Sequence, residues 1–266
     1  MMQNDIFKTN FGQYALSKRL GEPLVVFLSG MDSFSSLQTF QPVIDQLPDH
    51  FGVLAVDYLG MGLSKAADRD YDFSDELQAI YHIIDQCAAK QVIVVAHSIA
   101  GVYALALSQK LSNLAAFIGI EPTTREIITN PPRDPEYVKA AEKFKHLTQA
   151  QGSSWIHAQL DRCFSKEQAA LIWQTSEKAS NALTTDDEKR LQSIFDSMNW
   201  QSEIKLPNNL PSIIFTEAYR KKEYCRSEYM TNHRQSQVIA AGTFHYLHWE
   251  IPTEISKTMI DIISSL

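Results

Sequence analysis

The chain has 266 residues, 44% of them hydrophobic and 21% charged, which suits a soluble α/β domain at the long end of the single-domain range. A net charge of −7 offers no footprint to nucleic acid or to an anionic membrane surface, so neither is expected as a partner. Three cysteines (Cys87, Cys163 and Cys225), odd in number and widely spaced, argue against a disulfide framework or a zinc site and for reduced, mostly buried thiols.

At the start, MMQNDIFKTN lacks the basic-then-apolar pattern of a signal peptide, and runs such as VYALAL fall far short of the ~20 apolar residues that span a bilayer. A cytoplasmic protein with no membrane span is expected. The first twenty residues read as an antiparallel hairpin at a sheet edge. Then come LVVFLSG (24–30), GVLAVDY (52–58), VIVVAH (92–97), AAFIGIE (115–121), SIIFTE (212–217) and QVIAAG (237–242). Their near-continuous apolar character suits parallel strands buried on both faces, and the helical patterns between them point to a mostly parallel, doubly wound sheet. Leu77, Ile80, Tyr81, Ile84 and Ala88 share one helical face after Ser74, a candidate N-cap. Pro252 suits a first helical turn, with Ile255, Met259, Ile262, Ile263 and Leu266 on the apolar face that follows.

Residues 124–206 break the alternation. They carry helix signatures and no convincing strand: one stripe of Tyr137, Ala141, Phe144 and Leu147, another of Leu191, Ile194, Phe195 and Met198. Ser165 with Gln168, and Thr185 with Glu188, have capping-box spacing. The segment reads as a helical lid inserted into a core formed by 1–123 and 207–266, with Trp155, Trp173 and Trp200 as lid core.

In doubly wound sheets, ligands bind at the carboxyl ends of the strands. SGMDS, DYLGMGLS, AHSIAG and FHYLHWE all fall there. Ser98 is either an ordinary strand-end serine capping a helix or a nucleophile held on a sharp strand-to-helix turn. Together the four segments resemble the α/β-hydrolase family, in particular its lidded members, and the resemblance extends over nearly the whole chain. The family's Gly-His-Ser-x-Gly-Gly elbow is here Ala96-His97-Ser98-Ile99-Ala100-Gly101; alanine is the next smallest choice where strand and helix cross closely.

The resemblance implies Ser98 as nucleophile and no metal or organic cofactor. The family's Gly-His-x-x-His-x-Glu-x-Pro ending is matched by Phe244-His245-Tyr246-Leu247-His248-Trp249-Glu250-Ile251-Pro252. Counting back from Glu250 and Pro252 puts the base at His245, leaving His97 packed and hydrogen-bonded and His248 structural or at the pocket rim. The backbone N–H groups of Ile99 and Met31 are the oxyanion donors implied, with Ser29 replacing a common histidine. Asp32 reads either as a solvated loop residue or as facing a polar group of the substrate. Asp57 and the glycines of DYLGMGLS read as scaffold.

The triad acid departs from the pattern, because Arg220 stands where the family's aspartate usually falls. Glu121, Glu217 and Glu223 all keep the order serine, acid, histidine. Glu121 is preferred, since some relatives carry the acid one strand earlier. The implied activity is hydrolysis of a small carboxylic ester through an acyl-enzyme. The alternatives are C–C cleavage or acyl transfer at the same site, or a ligand-binding or signalling protein on this scaffold. Substrate identity and oligomeric state are not encoded legibly.

Overall fold

In a computed structural model describing residues 2–145 and 148–266, eight strands form one sheet in the order β1-β2-β4-β3-β5-β6-β7-β8. The hairpin of β1 (Gln3–Lys8) and β2 (Gln13–Arg19) lies at one edge, and β2 runs antiparallel to β4 (Gly52–Val56). Inward from there, β3 (Leu24–Leu28), β5 (Val92–His97), β6 (Leu114–Ile120), β7 (Ser212–Thr216) and β8 (Gln237–Ala240) are parallel. The strands predicted from the sequence are all present, ending up to two residues earlier than expected.

The unbroken apolar runs reflect burial on two faces. In β3, Leu24, Val26 and Leu28 join one core while Val25 and Phe27 join the other; Val92, Val94 and Ala96 of β5 part from Ile93 and Val95 in the same way. Each such fully buried aliphatic side chain stabilises the fold by roughly 1.5–3 kcal/mol. The first face is covered by α2 (Phe73–Asp85) and α3 (Ala100–Ser108), the second by α1 (Ser36–Ile44) and α11 (Pro252–Ile263). Pro252 occupies the first turn of α11 as expected.

Several local expectations shift. The cap of α2 is Asp72, in a capping box with Asp75, rather than Ser74. On that helix Ile83 takes the buried place expected of Ala88, which sits beyond the end at φ 50°. The second capping box in the insertion is Thr184 with Asp187, one residue before Thr185 and Glu188, whereas Ser165 with Gln168 forms as predicted. The thiols are free as expected, but Cys225 is exposed and the other two only half-buried.

Between β6 and β7 come α4 (Arg125–Thr129), α5 (Pro135–Lys145), α6 (Gln149–Cys163), α7 (Lys166–Ala182) and α8 (Thr185–Ser197), with no strand among the described residues. Of the first predicted stripe, Tyr137 is buried; Leu147 and the side chains of Ala141 and Phe144 lie outside the described residues. The second stripe splits by function. Ile194 and Met198 pack into the main core, while Leu191 and Phe195 turn to a cavity. Trp155 and Trp173 pack beside Phe34, Phe164, Phe244 and Trp249 in a small separate core, and Trp200 lies on Phe195. Among the described residues no helix is long and apolar enough to cross a membrane.

Candidate active site

The carboxyl edge of the sheet gathers the residues singled out in the sequence. Ser98 sits between β5 and α3 at φ 55°, a left-handed conformation unusual for a residue with a side chain and costing on the order of 1–3 kcal/mol. Its N–H donates to Ile120 O (3.1 Å), and its carbonyl accepts from Gly101 and Thr123 N–H. The turn needs a true glycine at 101: a Cβ there would lie 2.4 Å from Tyr229 Oη and 2.5 Å from Pro122 Cβ. Ala96 and Ala100 fit where the usual elbow has glycines, both fully buried.

Glu121 follows β6, also left-handed (φ 45°) and 1% exposed. Its Oε2 lies 2.9 Å from His245 Nδ1. Its Oε1 accepts from Thr216 Oγ1 and from the Glu217 N–H, each at 2.9 Å. Burial alone would raise this carboxyl, but the Arg220 guanidinium, His245 and the Glu217 N–H outweigh it and hold the group down at about 2. Glu121 is therefore ionised at neutral pH. Of the three acids considered, it alone touches His245. Glu217 offers Glu121 its backbone N–H, and burial with the neighbouring Glu121 charge pushes its own carboxyl up to about 7. Glu223 lies in α9 (Lys221–Cys225), buried against Arg220.

His245 stands on the loop after β8, and the acid of its motif holds that loop. Glu250 accepts from Thr243 N–H and Thr243 Oγ1, both at 2.6 Å. Gly242 (φ 77°) supplies the turn that the family motif assigns to the position of Phe244; a Cβ on it would meet Leu247 at 2.3 Å. His97 is 1% exposed, donates from Nε2 to the His245 carbonyl (3.2 Å) and packs at tilted angles against the rings of His245, Tyr246 and His248. His248, also 1% exposed, stacks on Phe40 and is structural rather than a rim residue. Burial drives both rings well below the usual histidine range, so both are neutral. The hydrogen bonds of His245 run through Nδ1 and its carbonyl; among the described residues none joins its ring to Ser98 Oγ. Such contacts are commonly long without substrate and tighten in the complex.

Met31, Ser98 and Ile99 line one cavity of about 500 Å³, together with Met61, Thr123 and Ile128. One turn-by-turn face of α8 closes it: Glu188, Leu191, Gln192 and Phe195. Gly30 allows the loop carrying Met31 to approach, since a Cβ on it would lie 3.4 Å from Ser98 Cβ and 3.2 Å from His97 Nδ1. Ser29 has no catalytic contact; it bonds Ser36 Oγ at 2.8 Å in the floor of the site. Asp57 accepts from Ser36 N–H and Leu63 N–H, and Gly62 is required because a Cβ would lie 2.3 Å from Asp57 Oδ2. Asp32 is not the solvated loop residue of the first expectation. It is half-buried, accepts from Phe34 N–H and Tyr246 Oη, and burial pushes it up to about 7. Among the described residues no three metal-ligating side chains cluster.

The chain enters the helical insertion through Pro122–Arg125, a short segment with many partners. Tyr224 Oη donates to Pro122 O, Tyr229 Oη to Thr123 O, Thr123 N–H to Ser98 O, Thr124 Oγ1 to Glu223 and Arg125 N–H to Glu228. Sequence reasoning noted Arg220 only as a missing acid. Its contact with Glu121, like that of Thr216, depends on neighbouring strand ends that no local motif records.

Comparison with known proteins agrees with this architecture. A 2-(acetamidomethylene)succinate hydrolase of Mesorhizobium japonicum is 35% identical over 77 residues, which are 29% of this chain and only 27% of that protein. The crystal structure of Smu.1393c from Streptococcus mutans superposes with a TM-score of 0.87 at 28% identity, covering 99% of this chain and 98% of that one. An epoxide hydrolase of Vigna radiata shares the fold at 15% identity (TM-score 0.72, covering 100% and 99%). The family model for alpha/beta hydrolases matches residues 25–246, over four-fifths of the length, and so the chain belongs to the alpha/beta hydrolase family.

Proposed function

We propose that the protein is a serine hydrolase of small, uncharged carboxylic esters, with Ser98 as nucleophile, His245 as base and Glu121 as acid. The observation that carries this reading is the buried, ionised Glu121 at 2.9 Å from His245 Nδ1, next in sequence to Ile120, whose carbonyl accepts from the N–H of a serine at a left-handed strand-to-helix turn. Glu121 fixes the tautomer in which Nδ1 bears the proton and Nε2 is free to accept one. His245 Nε2 takes the Ser98 proton as Oγ attacks the carbonyl carbon, and the backbone N–H groups of Met31 and Ile99 receive the developing oxyanion. The imidazolium returns its proton to the leaving alkoxide. Water, deprotonated in turn by His245, then releases the carboxylic acid and restores Ser98.

The nucleophile's identity supports an acyl substrate over the epoxide named for one structural neighbour. Serine opening an epoxide would form an ether, which water does not cleave at this site, whereas an acyl-serine hydrolyses. The cavity favours an uncharged acyl group: Met31, Met61, Ile99, Ile128, Leu191 and Phe195 surround it and no cation lines it among the described residues, with Glu188 and Gln192 at its exposed rim.

A fluorophosphonate should add once, at Ser98, as read by intact-mass analysis and peptide mapping, and the same protein should turn over short p-nitrophenyl esters. Equal labelling of wild type and Ser98→Ala would remove Ser98 as nucleophile.

A further inference from the structure

Arg220 closes the 3₁₀ turn Ala218–Arg220 after β7 and is 4% exposed. Its guanidinium forks onto Glu223, Nε at 3.0 Å and Nη2 at 2.8 Å, and extends Nη1 to Glu121 Oε2 at 3.3 Å. That oxygen is the one bonded to His245 Nδ1. The fork is held in place: Thr124 Oγ1 donates to Glu223, and the Tyr224 ring lies 4.7 Å from the guanidinium carbon. One carboxylate oxygen thus serves a permanent cation and an imidazole ring.

We propose that Arg220 and Glu223 are a positioning pair that sets the basicity of His245 through Glu121, Arg220 lowering it and Glu223 moderating that effect. The proposal rests on the reading of Glu121 and His245 as acid and base. A guanidinium on the shared oxygen makes Glu121 a poorer acceptor for the imidazolium N–H and places a like charge behind it. Glu223 cancels part of that charge. Two opposed charges behind the acid let the chain balance the ring's readiness to accept the Ser98 proton against its readiness to return it.

Other groups also face this array. His245 is approached by Glu217 from just after β7, Asp32 from the loop after β3, His97 from β5 and His248 from its own segment. Arg220 is approached by Glu217, Tyr219, Tyr224 and, from the insertion, Tyr137. All of them are retained when position 220 or 223 is altered, so they set the starting basicity and leave the direction of change to the pair.

The two halves predict opposite signs. Arg220→Met leaves two carboxylates behind His245 and raises its titration midpoint. Glu223→Gln leaves the guanidinium uncompensated and lowers it. Charges at this range commonly move a partner by about 1–3 pH units; with the His245 side chain 38% exposed, about one unit each way is expected, or about tenfold in proton affinity.

The experiment is an NMR titration of the histidine-labelled full chain, His245 being assigned with His245→Gln, for wild type, Arg220→Met, Glu223→Gln and the double variant. The pH dependence of Ser98 labelling by a fluorophosphonate is followed in parallel. Midpoints that rise, fall and lie between for the three variants, with the acid limb of labelling moving likewise, support the pair. Unchanged midpoints, or two shifts of the same sign, reduce it to packing and overturn the proposal. Should Arg220→Met fail to fold, Glu223→Gln must still lower the midpoint, and Arg220→Lys, which keeps the charge without the fork, must stay within the range set by wild type and Glu223→Gln. Shifted midpoints with no labelling of Ser98 in wild type would instead sink the serine-hydrolase reading and leave the coupling standing.

Discussion

Glu121→Gln changes one atom, and the surrounding bonds dictate how the new amide sits. Oε1 receives two donors, the Thr216 hydroxyl and the Glu217 N–H, so the glutamine carbonyl belongs there. Its NH₂ group then replaces Oε2 and confronts Arg220 Nη1 and His245 Nδ1. A donor facing Nδ1 imposes the wrong tautomer: the proton moves to Nε2, and the lone pair needed by Ser98 is lost. In a serine protease the equivalent change cost about 10⁴ in kcat, ~5.5 kcal/mol of transition-state stabilisation. Here Arg220 already draws on the same oxygen, so a loss on the order of 10³–10⁴ in kcat is expected. KM should change little, because the amide does not line the substrate cavity. Removing one partner of a buried ion pair also destabilises by roughly 3–5 kcal/mol, so kcat must be measured on protein shown to be folded by circular dichroism at the assay temperature. Glu217→Gln, which leaves the backbone N–H to Glu121 intact, should lose under about tenfold. A folded Glu121→Gln within tenfold of wild type, or a large loss in Glu217→Gln, would refute the reasoning.

His245→Ala should abolish ester turnover, while His97→Ala and His248→Ala keep measurable kcat but lower Tm, since both rings are buried and packed against other rings; an inactive, folded His248→Ala with active His245→Ala would show the final loop misread. Glu121 also gives a pH signature. Depressed from 4.5 to about 2 and almost fully buried, it contributes on the order of 3 kcal/mol of stability above its unfolded pKa, lost as pH falls from about 4.5 towards 2. Urea unfolding of wild type and Glu121→Gln should therefore show a stability gap that narrows across that interval, and a constant gap would contradict the assignment.

Much of this was legible because the relevant signals are local. Burial on both faces writes continuous apolar strands such as Val92–His97, and the elbow and the closing loop each lie within nine residues or fewer. The count back from Glu250 starts from a residue that physically anchors the loop by bonding Thr243. Long-range contacts were less readable. Asp32 meets Tyr246 across 214 positions of sequence, and Arg220 meets Glu121 across 99. Helix starts misplaced by one or two residues, Ser74 for Asp72 and Thr185 for Thr184, arose where adjacent residues are equally competent caps. The apolar stripe on α8 could not announce that Leu191 and Phe195 would face a cavity, because lining and core residues use the same alphabet.

The segment Pro122–Arg125 has a mechanical consequence. Glu121 lies just ahead of the point where the chain departs into five helices, so any strain applied to those helices has a covalent route straight to its carboxylate. Four successive residues are moored before that route opens, to Ser98, Glu223, Glu228, Tyr224 and Tyr229. These moorings make the segment a strain relief of the kind fitted where a cable leaves its housing. A displacement of the helices beyond Arg125 would then leave the Glu121 carboxylate in place against His245.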